Sequence, residues 1–200
     1  MKTLSRIKMF AVFFSLVGIS FASCNISDDN NIEPNKPVKV GDVIGDYSGK
    51  AFTQQGRWIN EQNTIFKVND SIIVFDNLPV KEIVYSVIKD ARKTEEILNK
   101  MEKVKYNLAY TSVVDEQGTA LILTFAPKEL KFTIPVEDKN KVVVANIVTK
   151  YKGVYISNRY DMLRFEWLID KITVDGKAEE NLEQIKYYFP SSVKRSTIKK

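Results

Sequence analysis

Alternating hydrophobic and polar positions predict strands in the first third of the chain. The alternation runs over residues 45–52 and again over residues 58–68. The pair Asn69-Asp70 is typical of a tight turn, and residues 71–75 follow it as a run that is apolar on both faces. Short runs of period two, separated by turn residues, are characteristic of antiparallel hairpins. We therefore expect three strands here, the third covered on both sides.

The hydrophobic period changes from two to 3.6 between residues 78 and 104. One apolar stripe at helical spacing consists of Val80, Ile83, Val84, Val87 and Ile88. Asp76 or Asn77 can cap the start of this helix, and Thr94 can cap a second one. One long helix running through Arg92 and Lys93 remains an alternative to two. The pattern thus predicts a helical insertion of one or two helices.

The remainder of the chain returns to strand patterns. Strands are expected over residues 106–114, 120–125, 128–136, 141–149, 151–157, 163–169 and 186–189. Pro135 favours an edge position for its strand, because proline cannot donate to a ladder. The apolar phase shifts past Asp170-Lys171, which indicates a bulge. The fold class predicted is α+β: a mainly antiparallel sheet or a partly closed barrel with the helical insertion.

The N-terminal segment has the pattern of a secretion leader. Three cations precede an uncharged run over residues 9–23, which is too short for the roughly 20 apolar residues of a membrane span. Small residues then precede Cys24, the only cysteine, so the segment resembles the lipobox of bacterial lipoproteins. The resemblance implies a signal peptide over 1–23 and lipidation of Cys24. Residues 24–40 are then a lipidated, flexible tether and residues 41–200 a single domain.

Short motifs further along resemble small Bacteroidetes lipoproteins of an uncharacterised family. They are acidic residues soon after Cys24, the strand motif over 45–50 and the helix entry over 76–80. This resemblance implies an outer-membrane, lipid-anchored protein that faces the cell exterior. Gly45-x-Tyr47 is also similar to the motif that opens lipocalin barrels, although the helical block at 78–104 departs from that family. The resemblances imply a location and a layout, but no activity.

The charge balance argues against nucleic acid as a partner. The chain has a formal charge of +5, with 30 basic and 25 acidic groups. Three of the cations lie in the leader, so the surface that remains after its removal is close to neutral. The basic residues at the extreme C-terminus are most simply a solvated end of the chain.

The residues available for catalysis are few. The chain has no histidine, which removes the commonest general base and the commonest metal ligand, and a lipidated Cys24 leaves no thiol. We therefore expect no catalytic residues, no cofactor and no metal. Carboxylates remain, and a carboxylate-based hydrolase is an alternative in which Glu166, between Phe165 and Trp167, is the best single acid.

Aromatic residues suggest a binding surface instead. Tyr151, Tyr155, Tyr160 and Trp167 are grouped in the C-terminal strands and could stack on a glycan, although strand tyrosines are ordinarily core or rim. Asp70-Ser71-Ile72 resembles an acceptor of Bacteroidetes O-glycosylation, which makes Ser71 a candidate modification site. The favoured function is thus non-catalytic binding of a partner protein or a glycan. A calycin-like carrier of a small hydrophobic ligand is the main alternative.

Overall fold

The computed structural model describes residues 37–137, 139–157 and 161–195. Eleven strands form one antiparallel sheet: β1 (Gly45–Gln55), β2 (Trp58–Val68), β3 (Ile72–Phe75), β4 (Tyr106–Val114), β5 (Ala120–Ala126), β6 (Leu130–Val136), β7 (Lys139–Val148), β8 (Gly153–Ser157), β9 (Asp161–Val174), β10 (Lys177–Ala178) and β11 (Ile185–Lys194). Two helices, α1 (Lys81–Ile88) and α2 (Ala91–Lys100), lie between β3 and β4, and a 3₁₀ turn at Val40–Val43 precedes β1.

The last strand closes the sheet into a barrel. β11 pairs with β1 on one side and with β9 on the other. The ring therefore contains eight strands, in the order β11, β1, β2, β3, β4, β5, β8 and β9. The predicted α+β class is wrong, because strands make up 58% and helices 14% of the described residues. The sheet is also a closed barrel and not a partly closed one.

The helical insertion consists of two short helices. α1 ends where Lys89 adopts a left-handed conformation with φ of 56°, and Asp90 is extended. The Asp90 carboxylate accepts a hydrogen bond from the Lys93 N–H at 2.9 Å and so caps α2, which is the role that the sequence analysis gave to Thr94. α1 starts after Val80 without a side-chain cap, so neither Asp76 nor Asn77 fills that position. Because both helices are short, most of the described residues lie in strands and not in helices.

β7 and β6 extend the sheet beyond the eight-strand ring. β8 and β7 pair with successive parts of β9, first around Arg164 and then from Leu168 onward, so they act as one interrupted strand. The register skips Asp170, which confirms the predicted bulge. β6, which contains Pro135, is the terminal strand of the order and contacts α2. A hydrogen bond from Gln55, the last residue of β1, to Ser86 of α1 places the helices at the end of the barrel where β1 ends, called the helix end below.

Aromatic rings fill the barrel interior. The ring centroids of Phe165 and Phe189 are 4.5 Å apart, those of Trp167 and Phe189 are 4.9 Å apart, and those of Phe75 and Trp167 are 5.5 Å apart. At the helix end the Tyr187 hydroxyl donates a hydrogen bond to the Pro79 carbonyl at 2.7 Å. The core is therefore continuous from the barrel into the insertion.

Candidate functional site

Two of the four aromatic residues predicted to stack on a glycan are buried. Trp167 is 0% and Tyr155 is 1% exposed, since both side chains point into the barrel. Tyr151 is 66% exposed, and Tyr160 lies outside the described residues. The buried rings of Trp167 and Tyr155 are not available to a ligand at the surface. A glycan-stacking site made of these four residues is therefore not supported by their placement.

The two predicted modification sites are Ser71 and Cys24. Ser71 is exposed in the turn between β2 and β3, and its carbonyl accepts a hydrogen bond from the Tyr110 N–H at 2.8 Å. This position leaves its side chain accessible, and O-glycosylation there stays a prediction. Cys24 lies outside the described residues, as does the whole predicted leader.

Buried tyrosines give the interior an unusual electrostatic property. Burial raises the pKa of Tyr106 to about 12 and that of Tyr110 to about 12. Burial also raises the pKa of Tyr47, Tyr155 and Tyr187, in each case well above the ordinary value. Four of these hydroxyls donate to backbone carbonyls, as Tyr47 does to Val43 at 2.7 Å. The interior thus holds phenols that stay neutral above pH 10, where an ordinary tyrosine ionises.

A cleft at the helix end exposes the other tryptophan. Trp58 opens β2 immediately after the β1–β2 turn and is 82% exposed, with Ile59 beside it at 66% and Tyr85 of α1 at 44%. These side chains line a cleft of about 430 Å³ between the hairpin and α1, which we call the Trp58 cleft. Its remaining lining residues are Gln55, Asn60, Lys81, Glu82 and Ala91. It is an aromatic and aliphatic surface with polar groups at its edges, as ligand sites typically are.

Hydrogen bonds hold the two walls of the Trp58 cleft in place. The Gln55 amide donates to the Ser86 hydroxyl at 2.8 Å, which joins the end of β1 to α1. Ser86 in turn donates to the Glu82 carbonyl at 2.8 Å. Gly56 has a φ of 55°, and a Cβ there would lie 2.5 Å from a carboxylate oxygen of Glu183. The hairpin turn is therefore packed closely against the loop before β11.

The charges around the Trp58 cleft are unequally satisfied. Lys81 forms an ion pair with Glu95 of α2. Glu82 has one carboxylate oxygen that is buried without a hydrogen-bond partner, and it takes part in no ion pair among the described residues. That oxygen is not accessible from the cleft, but Glu82 lines the cleft and no ion pair among the described residues balances its carboxylate. The cleft is thus apolar at its centre and acidic at Glu82.

Catalytic arrangements are not evident in the part of the chain that the structure describes. Glu166 is not opposite another acid; it forms an ion pair with Lys186 at 2.7 Å on the outer face of the sheet. In residues 37–137, 139–157 and 161–195 no group of three or more His, Cys, Asp or Glu side chains could hold a metal ion. Over those same ranges, the helices are all too short or too polar to cross a membrane.

The sequence analysis placed Trp58 and Tyr85 in a strand and a helix but did not predict that they line one cleft. The position of Trp58 at a hairpin turn could have indicated its exposure. The sheet ends at the turn, so an inward-facing side chain there has no barrel interior to enter. Tyr85 lies between the buried residues Val84 and Ser86, outside the predicted apolar stripe of α1. An aromatic residue outside the stripe of an amphipathic helix is the second signal.

The fold and the cleft define a closed antiparallel β-barrel that is compatible with a calycin-like ligand-binding barrel. The chain belongs to a family described as a domain of unknown function, DUF4840, which matches residues 42–174. The match includes Trp58, Glu82 and Tyr85 and ends before β11, the strand that closes the barrel. No curated protein and no solved structure matches the chain significantly.

Proposed function

We propose that the protein is a non-catalytic binding protein that holds a partner protein in the Trp58 cleft, outside the barrel. The observation that carries this proposal is the 82% exposure of Trp58 beside Ile59 and Tyr85. Isolated apolar residues on a surface are ordinary, but a contiguous aromatic and aliphatic group is characteristic of interaction sites. Tryptophan and tyrosine are also the residues that most often dominate binding energy at interfaces.

The rigidity of the cleft supports the same proposal. Gln55 and Ser86 join its two walls by a hydrogen bond of 2.8 Å, and Lys89 forms an ion pair with Glu179 at 3.6 Å across the neighbouring loop. A pre-organised site loses less conformational entropy when its partner binds. Ile59 at the rim favours a protein partner over a glycan, since an aliphatic surface offers a sugar no hydrogen bonds.

Replacing Trp58 with alanine is expected to weaken binding about 30-fold, which corresponds to about 2 kcal/mol. The probe is a linear peptide selected on the full chain, in detergent, from a phage-displayed library, with affinity measured by fluorescence polarisation. Tyr151→Ala is the control, because it removes an exposed aromatic ring far along the chain from the cleft. Equal affinity of the wild-type protein and Trp58→Ala would reject the Trp58 cleft as the binding site.

A carrier of a small hydrophobic ligand is the second candidate. The observations in its favour are the closed barrel and the buried polar atoms inside it that have no hydrogen-bond partner among the described residues, namely Trp167 Nε1 and the hydroxyls of Thr53, Thr64 and Ser192. An unpaired buried donor commonly meets a water molecule or a ligand. The aromatic rings packed through the interior argue against this candidate, because a ligand there would have to displace them.

We also propose that the protein is anchored at the outer membrane through Cys24. The lipobox-like sequence supports this location, and a multiply acylated cysteine provides stable anchoring where one chain would not. An exposed, rigid cleft beyond the tether of residues 24–40 would then be presented to partners outside the membrane. The proposal fits the near-neutral surface, which is not specialised for nucleic acid.

The Cys24→Ser variant is expected to move from the membrane fraction to the soluble fraction, because the acylated thiol is the proposed anchor. Cell fractionation with immunoblotting measures the change, and labelling with an alkyne analogue of palmitate tests acylation directly. Ser27→Ala, which alters a neighbour of Cys24 and keeps the thiol, is the control. A Cys24→Ser protein that stays in the membrane fraction would contradict anchoring through this residue.

A further inference from the structure

One edge of β2 has no strand partner over most of its length. β1 pairs with β2 at every position from Trp58 to Val68, whereas β3 pairs only with Lys67 and Val68. Among the described residues no strand lies against the other edge of residues 59–65. The barrel is closed through the short strand β3, and the helical insertion lies opposite the unpaired part of β2. An unpaired edge of this kind can pair with another chain.

The ladder shows which backbone groups face this edge. The Asn69 N–H donates to the Ile72 carbonyl at 2.9 Å, so the odd-numbered residues of β2 direct their backbone groups away from β1. Those residues are Ile59, Glu61, Asn63 and Ile65. Alternate residues repeat at about 6.8 Å along an antiparallel strand, and an extended polypeptide has the same repeat.

The space beside this edge is a groove. The Trp58 cleft lies between residues 58–60 and α1, and a second cleft of about 490 Å³ lies between Gln62 and a wall formed by residues 77–81 and α2. Lys81 lines both clefts, so they are neighbours along β2. We call the two clefts together the β2 groove.

The side chain that would enter the Trp58 cleft is defined by its lining. Trp58 and Tyr85 present aromatic faces, and the half-buried Glu82 carboxylate, which forms no ion pair among the described residues, lines the cleft with them. Aromatic faces attract cations, and a carboxylate pairs with them. A guanidinium meets both requirements, because it stacks on a ring and binds a carboxylate with its planar fork of donors. Lys81 does not supply this cation, since it pairs with Glu95.

We propose that an extended segment of a partner protein binds in the β2 groove as an added strand and places an arginine in the Trp58 cleft. The segment pairs with the backbone of Ile59, Glu61 and Asn63, which supplies affinity independent of sequence. Its arginine contacts Trp58, Tyr85 and Glu82, which supplies specificity. This inference rests on the proposed function, because it names the form and the chemistry of the partner bound at the same site.

The Glu61→Pro variant tests the added strand. Proline removes the N–H of Glu61, which faces the groove, and leaves the hydrogen bonds between β1 and β2 unchanged. We expect the selected peptide to bind about tenfold more weakly, as for the loss of one hydrogen bond worth about 1.4 kcal/mol. Glu61→Ala separates the N–H from the side chain, because both variants lose the ion pair with Lys50. The alanine variant is expected to bind within about twofold of wild type.

Peptides methylated at backbone nitrogens provide a second measurement that does not depend on folding of a variant. Two peptides are compared, one methylated at its odd-numbered and one at its even-numbered backbone nitrogens. One of them should lose binding and the other should keep it, since only alternate N–H groups of an added strand face its neighbour. Replacing the peptide's arginine with citrulline, or Glu82 with glutamine, should weaken binding about tenfold.

The outcomes separate the two proposals. If Glu61→Pro and both sets of methylated peptides bind like their unmodified counterparts while Trp58→Ala weakens binding, the added strand is rejected and the Trp58 cleft stands. If Trp58→Ala also binds like wild type, the proposed function fails as well. Selected peptides that bind without any arginine or lysine would reject the cation in the Trp58 cleft.

Discussion

Raising the pH from 9 to 11 is expected to lower the free energy of unfolding by several kcal/mol. Five buried tyrosines have raised pKa values: Tyr47, Tyr106, Tyr110, Tyr155 and Tyr187. Their contribution to stability is complete below pH 10, the ordinary tyrosine value, because the phenols are neutral in both states. Above pH 10 the unfolded chain loses these protons and the folded protein keeps them. Stability is therefore lost between pH 10 and about 12, where Tyr106 and Tyr110 ionise in the folded protein.

The size of this effect follows from proton linkage. At pH 11 a tyrosine such as Tyr106, whose pKa is about 12 in the folded protein, costs roughly 1.4 kcal/mol, and the other four shifts act in the same direction. The stability of an ordinary domain is only about 5–15 kcal/mol, so the combined loss is a large fraction of it. Urea unfolding at a series of pH values, with tyrosinate absorbance recorded in parallel, measures both the stability and the ionisation.

Tyr106→Phe provides the control for the alkaline transition. Because it removes one linked proton, the fall in unfolding free energy should be less steep by about 1.4 kcal/mol per pH unit. Tyr151→Phe, at a tyrosine that is 66% exposed, should leave the slope unchanged. A stability that is flat from pH 9 to 11, with the tyrosines ionising near pH 10 in the folded protein, would contradict the packed interior.

Replacing Trp167 with alanine is expected to lower the free energy of unfolding by about 3–5 kcal/mol. Trp167 is 0% exposed, and its ring lies 4.9 Å from that of Phe189 and 5.5 Å from that of Tyr187. Alanine would leave a cavity that the closed barrel cannot collapse around, since its strands are hydrogen-bonded on both sides. Urea unfolding followed by circular dichroism at pH 7 measures the loss.

Trp58→Ala is the matched control, because it removes the same side chain from an exposed position. Its cost in unfolding free energy should be below about 1 kcal/mol. The two tryptophans thus separate stability from binding: one variant should unfold easily and the other should bind poorly. A cost below about 1 kcal/mol for Trp167→Ala would place this residue outside a packed core.

Local patterns in the sequence predicted the elements well. Turn residues and period-two alternation located the strands, and the phase shift around Asp170 identified the bulge in β9. The fold class was wrong because closure is a non-local property: β11 pairs with both β1 and β9, more than a hundred residues apart along the chain. No local pattern specifies that second pairing. Asp90 caps α2 because Lys89 before it adopts a left-handed conformation and ends α1. A lysine in the sequence does not predict that conformation.

The candidate site was harder to predict than the fold. The sequence analysis grouped Tyr151, Tyr155, Tyr160 and Trp167 because they are close along the chain. Tyr155 and Trp167 lie on strand faces that closure of the barrel turns inward, and closeness along the chain does not reveal that burial. Trp58 differs in the opposite direction. It has the same position in the alternation as the inward-facing residues of β2, yet it lies past the end of the barrel and is exposed. The alternation pattern shows which face of a strand a residue lies on, but it does not show whether the strand at that residue is still part of the barrel.

The chain contains two tryptophans, and their indole N–H signals test the central claim in one NMR titration. The full chain in detergent, labelled with ¹⁵N, is titrated with the selected peptide and, separately, with a long-chain fatty acid; Trp58→Phe assigns the two signals. Binding in the Trp58 cleft predicts that the peptide shifts the Trp58 indole signal and leaves that of Trp167 in place, and that the fatty acid shifts neither. A shift of the Trp167 signal alone, with either probe, would place the ligand inside the barrel and contradict the account.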